Sequence, residues 1–194
     1  MKTKILKIPS PLQLILATAL FAAAGASGAA TAFEKTSSLA GTTLVMNGSG
    51  TRYKAIFKVY DMAMYLPATA KTPEAVLALP GPKRLSFVAQ RKVTGTDLGL
   101  AFMRGLKDNN PPELMRKHIP ATTRLIDIFS GKSFVDEGHT FAMEFVPGKG
   151  TQFFIQGEPQ GQPIDDAEFF QMILRIWLGN DPVDMRLKES LLGG

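Results

Sequence analysis

Cysteine is absent from this chain of 194 residues, and imidazole and indole are scarce, with two histidines and one tryptophan. Without thiols there is no disulfide framework, no thiolate nucleophile and no thiolate metal site. There is also no cysteine to carry a lipid at the end of a leader. Other signatures are missing too: no G-x-S-x-G elbow, Walker loop, H-E-x-x-H or EF-hand spacing occurs. Gly48-Ser-Gly50 precedes an apolar strand pattern, not a helix, so it is not a phosphate cradle. His118 reads as the close of a helix, where a cation is favoured, and His139 as a solvated turn residue after Asp136-Glu137-Gly138. Axial ligation of a haem or a metal is the lesser alternative for each. No Lys/Arg-rich run occurs either. Lys83-Arg84, Arg91-Lys92 and Arg116-Lys117-His118 are short and scattered, which speaks against a nucleic-acid partner.

Long hydrophobic runs are missing except at the N-terminus. There Lys2, Lys4 and Lys7 precede the apolar stretch Leu12 to Ala24, and Ala30-Thr-Ala32 fits an A-x-A cleavage site. This layout predicts a secretory signal peptide over residues 1–32. A spanning helix needs about 20 apolar residues, more than this run supplies. The remaining 162 residues, from Phe33, suit a single domain over 33–194. The leader holds three of the 22 basic residues and none of the 17 acidic ones, which leaves the mature chain a net charge of +2. A periplasmic or secreted location is expected, with no membrane span once the leader is gone.

The mature part alternates strand and helix signals in blocks. Thr42 to Met46 reads as a short strand, Asn47-Gly-Ser-Gly50 as a turn, and Arg52 to Leu66 as one long strand ended by Pro67. In that strand Tyr53, Ala55, Phe57 and Val59 alternate with Lys54, Ile56, Lys58 and Tyr60. Thr72-Pro73-Glu74 opens a short helix, and Lys83 to Arg91 is a strand. Thr94 to Leu106 has a helical stripe of Leu98, Phe102 and Leu106, with Gly99 and Gly105 open to close packing. Two short helices follow, Pro112 to Ile119 and Pro120 to Phe129. His139 to Val146 and Thr151 to Gln156 form a hairpin around Pro147-Gly-Lys-Gly150. Asp165 to Leu178 is an amphipathic helix, and Pro182 opens the last one. Strands joined by turns, with helices grouped instead of alternating, predict an α+β fold with an antiparallel sheet and helices packed on one face.

Gly48-x-Gly50-x-Arg52, Phe57-Lys58, Tyr65-Leu66, Pro147-Gly-Lys-Gly-Thr151 and Glu168-Phe169…Ile176-Trp-Leu-Gly179…Pro182 together resemble the chalcone isomerase family, in its bacterial, exported chalcone isomerase-like branch. The resemblance implies the chalcone isomerase-like fold, with Arg52 facing a ligand between sheet and helices. In the plant enzymes of that family, a phenolate attacks its own enone. An arginine stabilises the anionic oxygen, and a threonine, tyrosine, lysine and asparagine support the polarised ketone. Carried over by position, the arginine falls on Arg52 and the threonine on Tyr60. The tyrosine, lysine and asparagine fall on Leu98, Ala101 and Gly105, or one turn later on Phe102, Gly105 and Asn109. The polar residue of the penultimate helix falls near Ile176.

The anion-binding arginine is retained and most of the ketone-polarising network is not. The resemblance therefore implies a non-catalytic binder of a hydrophobic carboxylate such as a fatty acid, held by Arg52 with Tyr60 as a second donor. The alternative is an isomerase, an intramolecular lyase acting on an enone. Haem is a further candidate ligand, ranked lower because no axial ligand is evident, and a structural envelope protein with an ion-paired Arg52 is the third. No metal or other cofactor is expected.

Overall fold

The computed structural model describes residues 31–194. The leader expected over residues 1–32 thus lies outside the described residues except for Thr31 and Ala32. The chain opens with β1 (Thr36–Leu39), which turns back through Ala40 and Gly41, both at positive φ, into β2 (Thr42–Lys54). A second hairpin leads to β3 (Phe57–Leu66), and the short helix α1 (Pro73–Ala78) precedes β4 (Lys83–Ala89). A two-residue strand, β5 (Val93–Thr94), leads into α2 (Gly95–Asn109), α3 (Pro112–Lys117) and α4 (Ile119–Ser130). Then come β6 (Phe134–Val135), the hairpin β7 (Thr140–Val146) with β8 (Gly150–Ile155), and the stub β9 (Glu158–Pro159). Two helices close the chain, α5 (Ala167–Leu178) and α6 (Met185–Leu191).

Seven strands make one antiparallel sheet in the order β1-β2-β3-β4-β7-β8-β9, while β5 and β6 pair separately. Alternation explains its two faces. Tyr60, Met62, Met64 and Leu66 of β3 point to the same side as Leu85 and Phe87 of β4 and Phe141 and Met143 of β7. The buried stripes of α2, α4 and α5 cover that side and complete the main core. This is the expected α+β architecture, with helices on one face. The other face holds a smaller cluster of Leu44, Ala63 and Tyr65, packed under Phe33 and Leu39.

Local chemistry sets the helix boundaries. Thr72, Thr94, Asp166 and Asp184 each cap a helix by accepting from a backbone amide of its first turn. Gly99 lies against Ile126 and Ser130 of α4, and a Cβ on Gly105 would come within 2.7 Å of Ile176 of α5, so both glycines serve close helix packing. His118 joins α3 to α4. Its Nδ1 lies 2.8 Å from Asp166 and its Nε2 2.7 Å from Glu168, so it fastens that junction to the start of α5. The C-terminal helix begins at Met185, after the Asp184 cap, three residues later than the proline that was expected to open it.

The largest departure from the sequence expectation lies in β2. Asn47-Gly-Ser-Gly50 is not a turn but the middle of a 13-residue strand, with a bulge between Met46 and Gly48. The turn falls instead at Ala55-Ile56, inside the segment that reads as one strand from Arg52 to Leu66. The glycines serve packing, not chain reversal. A Cβ on Gly48 would fall on the backbone of Ser190 and Leu191, and one on Gly50 would lie 2.9 Å from the Ser190 Cβ. Helix α6 therefore rests directly on the strand. Asn47, displaced by the bulge, holds Ala70 through both its amide atoms and donates to the Leu191 carbonyl at 2.7 Å.

Candidate ligand-binding site

The register of β2 on β3 builds the site. Gly48, Gly50 and Arg52 pair with Met64, Met62 and Tyr60, so all six face the helices. The first two positions are filled by α6; the third carries the guanidinium. Asp184, the cap of α6, accepts from the amide of Tyr53 at 2.9 Å and fixes the helix start beside Arg52. Trp177 comes from α5, and Leu98, Ala101 and Phe102 come from α2.

Arg52 lies against Tyr60, its guanidinium carbon 5.5 Å from the ring centroid. Its Nε is buried and has no hydrogen-bond partner, and among the described residues no carboxylate pairs with it. Tyr60 is 5% exposed, and its hydroxyl accepts from Trp177 Nε1 at 2.7 Å. Burial pushes the Tyr60 hydroxyl above its ordinary 10.0, opposed by the Arg52 charge and by hydrogen bonds from Trp177 and Arg52. At neutral pH it is therefore a phenol, and its proton is available to an acceptor placed beside Arg52.

Tyr60, Leu98, Ala101 and Ile176 line the same cleft as Arg52. These are positions to which the family's polar residues carry over, and the fold does bring them together. Only Tyr60 among them can donate a hydrogen bond. Gly105 is spent on the α2–α5 contact, and Asn109 binds the Gly105 and Asp181 carbonyls at 3.0 and 2.7 Å. The ketone-polarising network is thus absent from the cleft in either register. The cleft is also nearly filled: its volume is about 10 Å³, closed by Phe102, Trp177 and Val183. That is room for a water-sized group, against the roughly 300 Å³ or more of a small-molecule pocket.

Trp177 is the site residue that sequence reasoning left as core. The available signal was chemical: a lone indole on a buried helix face needs an acceptor for its N–H. Haem does not fit here. No histidine, methionine or cysteine lines the cleft, and both ring nitrogens of His118 are engaged by carboxylates.

A larger hollow of about 670 Å³ lies on the opposite face of the sheet, beside the segment around Phe33. Its cation is already matched, because Arg84 pairs with Glu144 at 3.0 Å. Nearby, the buried Asp61 accepts from Thr51 Oγ1 at 2.5 Å, from Gln90 Nε2 at 2.8 Å and from the Thr31 amide at 2.7 Å. In the Arg52 cleft, by contrast, a half-buried guanidinium without a carboxylate partner among the described residues meets apolar walls.

The sequence matches the family model described as chalcone isomerase-like over residues 26–193. The chain belongs to the chalcone isomerase-like family. No curated protein matches it. Among solved structures it is similar to a fatty-acid binding protein of Arabidopsis thaliana, with a TM-score of 0.59 and 14% identity over 77% of this chain and 86% of that one. At that identity the likeness concerns the fold. In this member of the chalcone isomerase-like family, the antiparallel sheet and the helix layer on one face agree with the sequence reading.

Proposed function

We propose that this chalcone isomerase-like protein is exported and binds a hydrophobic carboxylate, with a long-chain fatty acid as the representative ligand. The observation that carries the reading is the unmatched guanidinium of Arg52, whose buried Nε lacks a partner inside an apolar cleft. A half-buried cation with a buried, unpartnered donor is costly until an anion joins it. The ligand's carboxylate supplies that anion, accepting from Arg52 and from the Tyr60 hydroxyl, while Trp177 holds Tyr60 in place. The alkyl tail displaces Phe102, Leu98 and Val183, so entry requires the α2 side of the cleft to move away from the sheet. The fatty-acid binding protein of the same fold supports the ligand class. The basic, apolar and small-residue leader supports export.

Catalysis is the weaker reading. Arg52 could stabilise an oxyanion, but with Leu98, Ala101 and Ile176 at the other carried-over positions only the Tyr60 hydroxyl is left to polarise an enone. The test is mass spectrometry of ligand extracted from protein purified without detergent. Wild type is expected to yield a long-chain acid and Arg52→Ala none. An empty wild-type protein, or chalcone turnover abolished in the variant, contradicts the reading.

A further inference from the structure

The β2–β3 hairpin ends in a turn that its own backbone does not favour. A two-residue hairpin turn prefers Asn-Gly or a similar pair, because its residues take positive φ. Here Ala55 stands at φ 55 and Ile56 follows it. The most exposed large apolar side chain of the described residues is there too, Ile56 at 84%, and Phe57 beside it is 57% exposed. Neither packs on the core, so their presence serves neither the turn nor the fold. Two cations flank them. Lys54 and Arg91 are exposed and have no carboxylate partner among the described residues, and the Arg91 guanidinium lies 5.2 Å from the centroid of the Phe57 ring. The nearby carboxylate of Asp184 is occupied by the backbone amides of Tyr53, Arg186 and Leu187.

We propose that this hairpin tip is a docking finger for an anionic phospholipid surface. Ile56 and Phe57 enter the boundary between headgroups and acyl chains, while Lys54 and Arg91 meet the phosphates. An exposed apolar pair flanked by two basic groups matches the two layers of such a surface, whereas a purely polar partner would leave the pair in water. The finger lies beside the ligand cleft. The Arg52–Tyr60 pair is two residues of β2 from the last residue before the turn, about 7 Å of strand. Docking would therefore bring the cleft close to the membrane, the source of hydrophobic acids. The docking itself does not depend on the ligand reading, and Arg52 has no part in it.

Co-sedimentation of the full mature chain tests this, using vesicles of phosphatidylcholine with and without a third of phosphatidylglycerol. Wild type is expected to pellet with the anionic vesicles, more weakly as salt rises, and poorly with the neutral ones. The double substitution Ile56→Ser and Phe57→Ser should weaken partitioning at least about tenfold. Lys54→Ala should weaken it about fivefold. Arg52→Met should pellet like wild type, which separates this proposal from the ligand reading. Wild type that stays in solution, or a double variant that pellets equally well, overturns it. So does self-association in wild type that vanishes in the double variant, since the tip would then be an interface between copies of this chain.

Discussion

At the scale of single residues the decisive contrast is between two arginines. Arg84 meets Glu144 across β4 and β7 and is balanced within the fold; Arg52 reaches an apolar cleft with no carboxylate partner. A group retained at a cost to stability marks a functional position. Arg52→Met should accordingly raise the urea midpoint of the ligand-free protein, by about 1 kcal/mol in stability. A fall would mean that Arg52 is a structural ion pair after all. Tyr60→Phe should do the reverse. It leaves the buried Trp177 N–H without its acceptor, at a cost of about 1–3 kcal/mol in the same measurement. Arg52 and Tyr60 were singled out in the sequence, but as neighbours on one strand; the fold instead pairs them across β2 and β3. The emptiness of the network around them was legible as well, because Leu98, Ala101 and Ile176 cannot supply donors in any geometry.

Elements explain what was not legible. Gly-Ser-Gly ordinarily marks a turn, and an alternating apolar segment ordinarily marks a strand, so local propensity put the reversal of β2 and β3 five residues too early or more. Tertiary contact overrode it: α6 needs bare backbone at Gly48 and Gly50, and that helix comes from the far end of the chain. Gly48→Ala should then cost about 2–4 kcal/mol, seen in thermal or urea unfolding, because the added Cβ meets backbone that cannot step aside. Ala55→Gly should be stabilising by about 1 kcal/mol, since glycine takes the positive φ of the true turn without strain. The helices were more legible than the short strands. Their caps are local in sequence, whereas β1, β5, β6 and β9 exist only through partners supplied by the fold.

Across the whole molecule, two carboxylates make opposite contributions to acid stability. Hydrogen bonds from Lys117 and His118 hold Glu168 below its ordinary 4.5. Its contribution is complete above that pH and is lost as pH falls through the lowered folded value. Burial holds Glu144 above 4.5, partly offset by Arg84. Its ionisation is therefore disfavoured by folding, and stability is lost as pH rises through the raised value. Unfolding measured from acid to neutral pH should show a flatter rise in Glu168→Gln and a steeper one in Glu144→Gln.

The two sheet faces also divide the labour of the molecule. One is sealed by α2, α4, α5 and α6 around the Arg52 cleft; the other carries the open hollow with its balanced charges. Because the chain has a single tryptophan and it lines the cleft, ligand entry can be read directly. The most direct test is a titration of the protein with palmitate, below its aggregation threshold, followed by Trp177 fluorescence. A saturable change is predicted for the acid, at least about tenfold weaker for the matching alcohol and for Arg52→Met. No saturable change, or an equal response to the alcohol or in the variant, would contradict Arg52 as the residue that holds a hydrophobic acid.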